Sequence, residues 1–381
     1  MSDSIAIPVC RPQLPATQQI IPYLERIDAS RRYANYGPLV LSLETELAHH
    51  FGLEPGSVTT AASGSMAIVG AILARAGRAK AGRSLCICPA YTFVATAAAA
   101  RHCGYEPYFT DVEPDSWALD PERLERDPVL ERAGLVIVVA PYGRPVDVAA
   151  WSAFHRRTGV PVVVDAAAGF DTFAKVLPVL PEDVPVVLSF HATKAFGCGE
   201  GGAVVSTSRE FTLGCHRALN HGFLGERQSV GDAVNGKMSE YHAAIGLAEL
   251  ERWRHKHQAF GKAAKRYRGC ARRHGLGDRL RLAGDVSAAY ALAVCGDAQA
   301  AQAAAAALWE RGIESRFWYG AGLHREPAFA DCPHGSLDVS EMLAGRLLGV
   351  PFFIDMSDAQ MDAVCGVLAR AWAALPVYST A

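Results

Sequence analysis

From residue 58 to residue 206 short apolar runs recur with helical stretches between them, and this alternation restricts the chain to few architectures. The runs 58–62, 85–88, 105–109, 135–140, 161–164, 184–188 and 203–206 read as buried strands. Between them, 66–76, 94–102 and 149–158 read as helices. Strands that alternate with helices predict an α/β fold, a largely parallel sheet covered on both faces. In such sheets ligands bind beyond the carboxyl ends of the strands.

Three polar groups fall on that edge. Ser63-Gly64-Ser65 follows the first run, Asp165 ends the run 161–164, and Ser189-Phe190-His191-Ala192-Thr193-Lys194 follows the run 184–188, with Gly197-Cys198-Gly199-Glu200-Gly201-Gly202 behind it. A lysine in a partly desolvated pocket loses some of its preference for the charged form and becomes a nucleophile toward a carbonyl. Ser189, His191 and Thr193 can donate to phosphate oxygens, and the glycines let the backbone approach closely. Lys194 is therefore a candidate for Schiff-base chemistry with a phosphorylated cofactor, against the reading of a surface lysine in an ordinary loop. Ser63-Gly64-Ser65, at a helix start, is either a phosphate cradle or a plain N-cap. Asp165 is either the partner of a pyridinium N–H or a helix cap, although the next residues, Ala166-Ala167-Ala168-Gly169, are a poor helix start.

Outside the sheet, a short helix is expected over 18–27 and an amphipathic one over 41–51, with Leu41, Leu43, Leu47 and Phe51 buried. After the lysine loop, the polar, glycine-rich stretch 225–236 reads as mobile or interfacial. A long helix then runs from Tyr241 to about Phe260, capped by Ser239 or Asn235. The basic run 256–273 marks the passage into a smaller domain, with strands at 290–294 and 312–318, a helix at 298–311, a loop at 319–335 and a final helix at 358–373. The expected division is 1–255 and 256–381.

Composition narrows the function. At 381 residues and 50% hydrophobic content the chain buries a sizeable core, and its net charge of -2 gives no broad basic face. Residues 252–273 read as the solvated side of a helix, so no nucleic acid is expected. The ten cysteines are scattered. Cys86 and Cys88 share one face of a strand, and without repeated C-x-x-C pairs neither a metal site nor a disulfide framework is indicated. A reducing cytoplasm fits. Met1-Ser2-Asp3-Ser4 opens no signal segment, and the Ala-rich stretches are interrupted by Arg, Lys or Pro, so no membrane or export role is expected.

Ordered landmarks run from about Arg11 to the last helix. They are Asn35-Tyr36-Gly37-Pro38-Leu39-Val40, Ser63-Gly64-Ser65, Pro89-Ala90-Tyr91-Thr92-Phe93-Val94-Ala95-Thr96, Asp165-Ala166-Ala167, the loop from Ser189 to Lys194 with Glu200-Gly201-Gly202-Ala203, Asn220-His221-Gly222, Asn235-Gly236-Lys237-Met238-Ser239-Glu240 and Gly322-Leu323-His324. Through them the chain resembles the DegT/StrS-type nucleotide-sugar aminotransferases, a pyridoxal-phosphate-dependent branch of the fold-type I aspartate aminotransferase superfamily. The resemblance implies a mainly parallel seven-stranded sheet flanked by helices, with a smaller α/β C-terminal domain. It implies that Lys194 bonds to the cofactor aldehyde, Asp165 binds the pyridine nitrogen, Phe93 stacks on the ring, and Gly64, Ser65 and Ser189 hold the phosphate. Asn235 would complete the phosphate site of a neighbouring subunit, giving a homodimer with shared active sites. Tyr36, Lys237, Arg316, Tyr319 and His324 are the candidates for the substrate, although Arg316 could equally pair with Glu314 or Glu310.

The implied reaction carries an amino group, with L-glutamate as donor and pyridoxamine phosphate as intermediate, to a nucleotide-linked keto sugar, with 4-keto-6-deoxy sugars favoured. One departure stands out: Ala168 occupies the place where the family often has Gln or His, so a contact to the ring hydroxyl is lost or supplied from elsewhere. Two other readings compete, a regulatory or divergent cofactor-binding relative and a sugar dehydratase; dehydratases of this family carry histidine in place of the lysine. A nicotinamide enzyme is disfavoured because the run 197–202 precedes a strand instead of opening a helix.

Overall fold

The computed structural model describes residues 6–373. Seven strands form its main sheet: β1 (Val58–Ala61), β2 (Leu85–Pro89), β3 (Glu106–Thr110), β4 (Ala133–Val139), β5 (Val162–Asp165), β6 (Val186–Ser189) and β7 (Gly202–Val205). Their spatial order is β1-β7-β6-β5-β4-β2-β3, and only β7 runs against the rest. Residue alternation explains why both faces are covered. Val136, Val138, Val162, Val164 and Ile87 pack into one core, whereas Leu135, Ile137, Val163, Cys86 and Cys88 pack into the other.

Among the described residues, eleven α-helices accompany the strands: α1 (Thr17–Ser30), α2 (Pro38–His50), α3 (Gly64–Arg75), α4 (Ala95–His102), α5 (Pro121–Glu125), α6 (Val148–Thr158), α7 (Arg209–Leu219), α8 (Glu240–Arg273), α9 (Ala298–Trp309), α10 (Asp338–Arg346) and α11 (Asp358–Ala373). A second sheet, β10-β9-β8, is antiparallel and built from β8 (Leu280–Arg281), β9 (Leu292–Val294) and β10 (Leu347–Gly349). No helix among the described residues is long and apolar enough to cross a membrane.

Several expectations need correction. Leu41 is 49% exposed. The helix begins at Pro38, its buried face runs through Leu39, Val40, Leu43 and Leu47, and Leu41 lies about 200° from Leu43 on the helical wheel. No strand forms over 312–318; Ile313 bridges to Ile7 and Arg316 to Gly349, each singly, so no ladder develops. The basic run 256–273 continues α8, so residues 255 and 256 fall inside one helix, capped at its start by Ser239. Its solvated side has an exception in Lys256, which is buried and ion-paired with Glu249.

Candidate active site

The carboxyl ends of β1, β4, β5 and β6 open on a cavity of about 440 Å³, lined among others by Ser65, Phe93, Asp165, Ala168, Ser189 and Lys194. Its floor is set by close backbone contacts. A Cβ at Gly64 would stand 2.7 Å from the Ser189 Cβ, and one at Gly202 would stand 2.7 Å from the Ser63 carbonyl oxygen and 2.8 Å from the Gly64 Cα. Glycine at 64 and 202 is what lets the start of α3 approach β6 and β7. Ser63 does cap that helix, its Oγ accepting from the Met66 N–H at 3.2 Å. The remaining first-turn N–H groups have no intrahelical acceptor and carry the positive end of the helix dipole, beside the Ser189 hydroxyl.

Asp165 ends β5 and is buried. Thr96 donates its hydroxyl to Oδ2 at 2.8 Å, and the Ala167 N–H donates to Oδ1 at 3.1 Å. The carboxylate thus caps a turn, not a helix, and keeps lone pairs free. Burial pushes its pKa up, against Thr96, the Ala167 N–H and the Lys194 charge, which favour the ionised form. A cation in the cavity would complete that balance.

Lys194 sits in the loop between β6 and β7, and its Nζ donates to the Tyr290 hydroxyl at 3.0 Å. Around it, His191 Nδ1 pairs with the Thr193 hydroxyl at 2.8 Å, and His191 Nε2 lies 3.6 Å from Glu200. An aromatic wall closes the far side. Tyr319 stacks on Tyr142 at 4.6 Å and accepts the Tyr142 N–H at 3.1 Å, and Tyr290 meets the edge of Trp318 at 5.5 Å.

Of the residues expected to bind cofactor, Gly64, Ser65, Phe93, Asp165, Ser189 and Lys194 share this cavity, as do Arg316 and Tyr319. Phe93 is 57% exposed on its wall. Arg316 pairs with Glu314 at 2.6 Å. The other four stand elsewhere. Tyr36 is buried in a stack on His216 at 3.6 Å, Lys237 donates to Asn235 at 2.7 Å, and His324 pairs with Glu341 at 3.0 Å beside a different cleft. Thr96, Tyr290 and Trp318 were not anticipated. Thr96 lies one helical turn after Thr92 in a motif the sequence does display and Trp318 directly precedes the expected Tyr319, whereas Tyr290 comes from a distant segment with no local signal.

The donor set suits pyridoxal phosphate: an amine, a buried carboxylate across the same cavity, and an N–H-rich turn that a Cβ would fill. Comparisons agree. The family model for the DegT/DnrJ/EryC1/StrS aminotransferase family matches residues 16–369. The dTDP-4-amino-4,6-dideoxy-D-glucose transaminase of Shigella dysenteriae is 34% identical over 243 residues, 64% of each chain. The UDP-2-acetamido-2-deoxy-3-oxo-D-glucuronate aminotransferase of Pseudomonas aeruginosa is 27% identical over 283 residues, 74% of this chain and 78% of that one. Among solved structures, DesI in the presence of its TDP-sugar product superposes with a TM-score of 0.82 at 26% identity, covering 97% of this chain and 94% of DesI.

Proposed function

The chain belongs to the DegT/DnrJ/EryC1/StrS aminotransferase family and is a pyridoxal-phosphate-dependent aminotransferase, and from that membership we propose that it moves an amino group from L-glutamate to the C4 carbonyl of a nucleotide-linked 4-keto-6-deoxy sugar in amino-sugar biosynthesis. The observation that carries this reading is the placement of Lys194 and Asp165 on one cavity that also holds the helix start at Ser63-Gly64-Ser65. The C4 position rests on the name of the more similar of the two curated relatives, the other being named for a 3-oxo sugar.

When bound, pyridoxal phosphate supplies an aldehyde for the amine and a ring that takes up the electron pair left by a departing Cα proton. Asp165 holds a proton at the ring nitrogen, and Thr96 with the Ala167 N–H keeps that carboxylate ionised and aimed. Lys194 would hold the aldehyde carbon through Nζ, and as a free amine at the same place it would take and return the substrate proton as a general base. The Tyr290 hydroxyl steadies Nζ during that exchange. Ser65, Ser189 and the first-turn N–H groups of α3 would hold the phosphate, and Phe93 would lie against the ring. Arg316 and Tyr319, which line the same cavity, are the residues we propose to meet the anionic nucleotide or the sugar. The presence of Lys194 disfavours the dehydratase reading.

We assign Asn235 to the phosphate site of a neighbouring subunit in a homodimer, and keep Tyr36, Lys237 and His324 as substrate candidates, although Tyr36 and His324 are buried against His216 and Glu341 of their own chain. The division into 1–255 and 256–381 is retained as a proposal with α8 as the shared spine. A cytoplasmic location accords with ten unpaired cysteines.

The test is Lys194→Ala with purified protein, L-glutamate and a panel of nucleotide-linked 4-keto and 3-keto sugars. Loss of turnover by at least about four orders of magnitude is expected, since nucleophile and base go together. Full activity in the variant would overturn the assignment, and wild-type preference for 3-keto sugars would move the amination site.

A further inference from the structure

A second cavity, of about 660 Å³, opens where the loops after β3 and β4 meet β8 and α10, and no residue lines both it and the active-site cavity. Tyr142 stands between the two. Its ring meets Trp117 of the second cavity at 6.1 Å, and Tyr290 and Tyr319 of the first at 5.6 and 4.6 Å. Three half-buried arginines, Arg144, Arg281 and Arg346, line the second cavity. Taking a guanidinium even partly out of water costs free energy unless its charge is met by a partner. None of the three pairs with a described carboxylate. Arg144 gives one N–H to the Asp115 carbonyl at 2.7 Å, Arg346 Nε donates to the Cys295 carbonyl at 3.0 Å, and the Arg281 guanidinium has no hydrogen bond to a described residue.

We propose that this cavity is a second anion-binding site, which takes a small molecule carrying two or more linked phosphoryl groups. Each guanidinium presents a planar fork of N–H donors that meets phosphate oxygens in pairs, and three forks around one opening suit a diphosphate better than a single phosphate. The charges present leave room for such a ligand. Burial and then the Arg281 charge lower the Arg144 pKa, against the opposing pull of Asp285 and Asp115. Asp285, which also lines the cavity, lies 3.4 Å from Arg268 and so is already engaged. Like charges held together without a counter-ion repel, and a bound anion relieves that repulsion. The backbone carries a second mark of function. Trp117 has a φ of 61°, a left-handed conformation costly for a bulky side chain, and it holds its ring against Arg144, whose Cζ is 4.3 Å from the ring centre. The strain fixes one fork of the site in place.

Calorimetric titration of the pyridoxal-phosphate-loaded enzyme with inorganic pyrophosphate tests this without reference to aminotransfer. Saturable binding is expected. Arg281→Gln should weaken it by about 10- to 100-fold, the loss of one hydrogen-bonded charge. Because the Arg281 guanidinium holds no described partner, the variant should keep the fold by circular dichroism. Arg281→Lys, which retains the charge without the fork, should fall between the wild type and Arg281→Gln. Arg316→Gln, in the active-site cavity, should bind pyrophosphate as the wild type does. Absence of saturable binding, binding lost in Arg316→Gln but intact in Arg281→Gln, or citrate bound as tightly as pyrophosphate would each overturn the proposal. A failure there leaves the Lys194 assignment standing, since the two cavities share no residue.

Discussion

Asp165 stands between burial, which raises its pKa, and three neighbours that favour the charged form. Asp165→Asn keeps the shape but cannot hold a proton on a ring nitrogen, so kcat should fall about 10²–10⁴-fold. Thr96→Val removes one hydrogen bond to an ionised carboxylate, worth about 1.5–3 kcal/mol, so its cost should be about 10- to 100-fold, below that of Asp165→Asn. Steady-state kinetics of the two variants orders them, and an equal loss in both would mean that Thr96 does more than orient Asp165. Glu44 makes a separate case. Its Oε1 accepts both the Thr60 N–H at 2.7 Å and the Thr60 hydroxyl at 2.9 Å, yet burial pushes the carboxyl up to about 7. The folded chain binds that proton more tightly than the unfolded chain. The stabilisation is therefore complete below about pH 4.5 and is lost as pH rises through about 7. Urea unfolding at pH 5 and pH 8 should show a drop of up to about 3 kcal/mol from this group, and Glu44→Gln should remove that part of the drop. An identical pH dependence in the variant would contradict the assignment.

At the scale of elements, Glu240 couples the starts of two helices. It is the first residue of α8, and its buried carboxylate accepts the Leu39 and Val40 N–H groups at 2.9 and 2.8 Å, capping α2 from a distance. A Cβ at Gly37 would lie 2.6 Å from that carboxyl carbon. Glu240→Ala should therefore destabilise by about 2–4 kcal/mol, since two buried N–H donors lose their partner, and Gly37→Ala should destabilise by displacing the same carboxylate. Denaturant midpoints read both, and a neutral Gly37→Ala would show that the contact relaxes freely. This long-range cap explains why the Asn35–Val40 and Asn235–Glu240 landmarks occur together, a link invisible to local pattern. What the sequence did display was periodic: the apolar strands, the helix 358–373, and the polar residues at strand ends that make the site. Strands of two or three residues, such as β8 and β10, have no period to read. The helix α10 comes after a loop without a capping side chain, and Leu41 shows how a run of leucines hides its face until the helix start is known.

Over the whole molecule, α8 joins the surroundings of the two sheets, and the fully buried Glu249–Lys256 pair on it lies behind the lysine loop, Lys256 sharing a small cleft with Ala192, Thr193 and Lys194. That leaves the loop braced from within its own chain, whereas Asn235 and Lys237 satisfy each other at an exposed position off the cavity wall. If Asn235 serves the phosphate of a neighbouring subunit, Lys194 and Asn235 of one functional site come from different chains. Two inactive variants then complement. A chain with Lys194→Ala still offers Asn235, and a chain with Asn235→Ala still offers Lys194. When they are unfolded, mixed in equal amounts and reassembled, half of the dimers are hybrids, and one of the two sites in each hybrid is intact. The mixture should recover about a quarter of wild-type activity beyond the residual activity of the parents. Sites contained within single chains would give only the average of the two parents, so the recovered fraction decides whether the functional unit is the dimer. Sedimentation of the same samples distinguishes failed mixing from absent sharing, because a chain that remains monomeric while fully active would itself rule out the shared site.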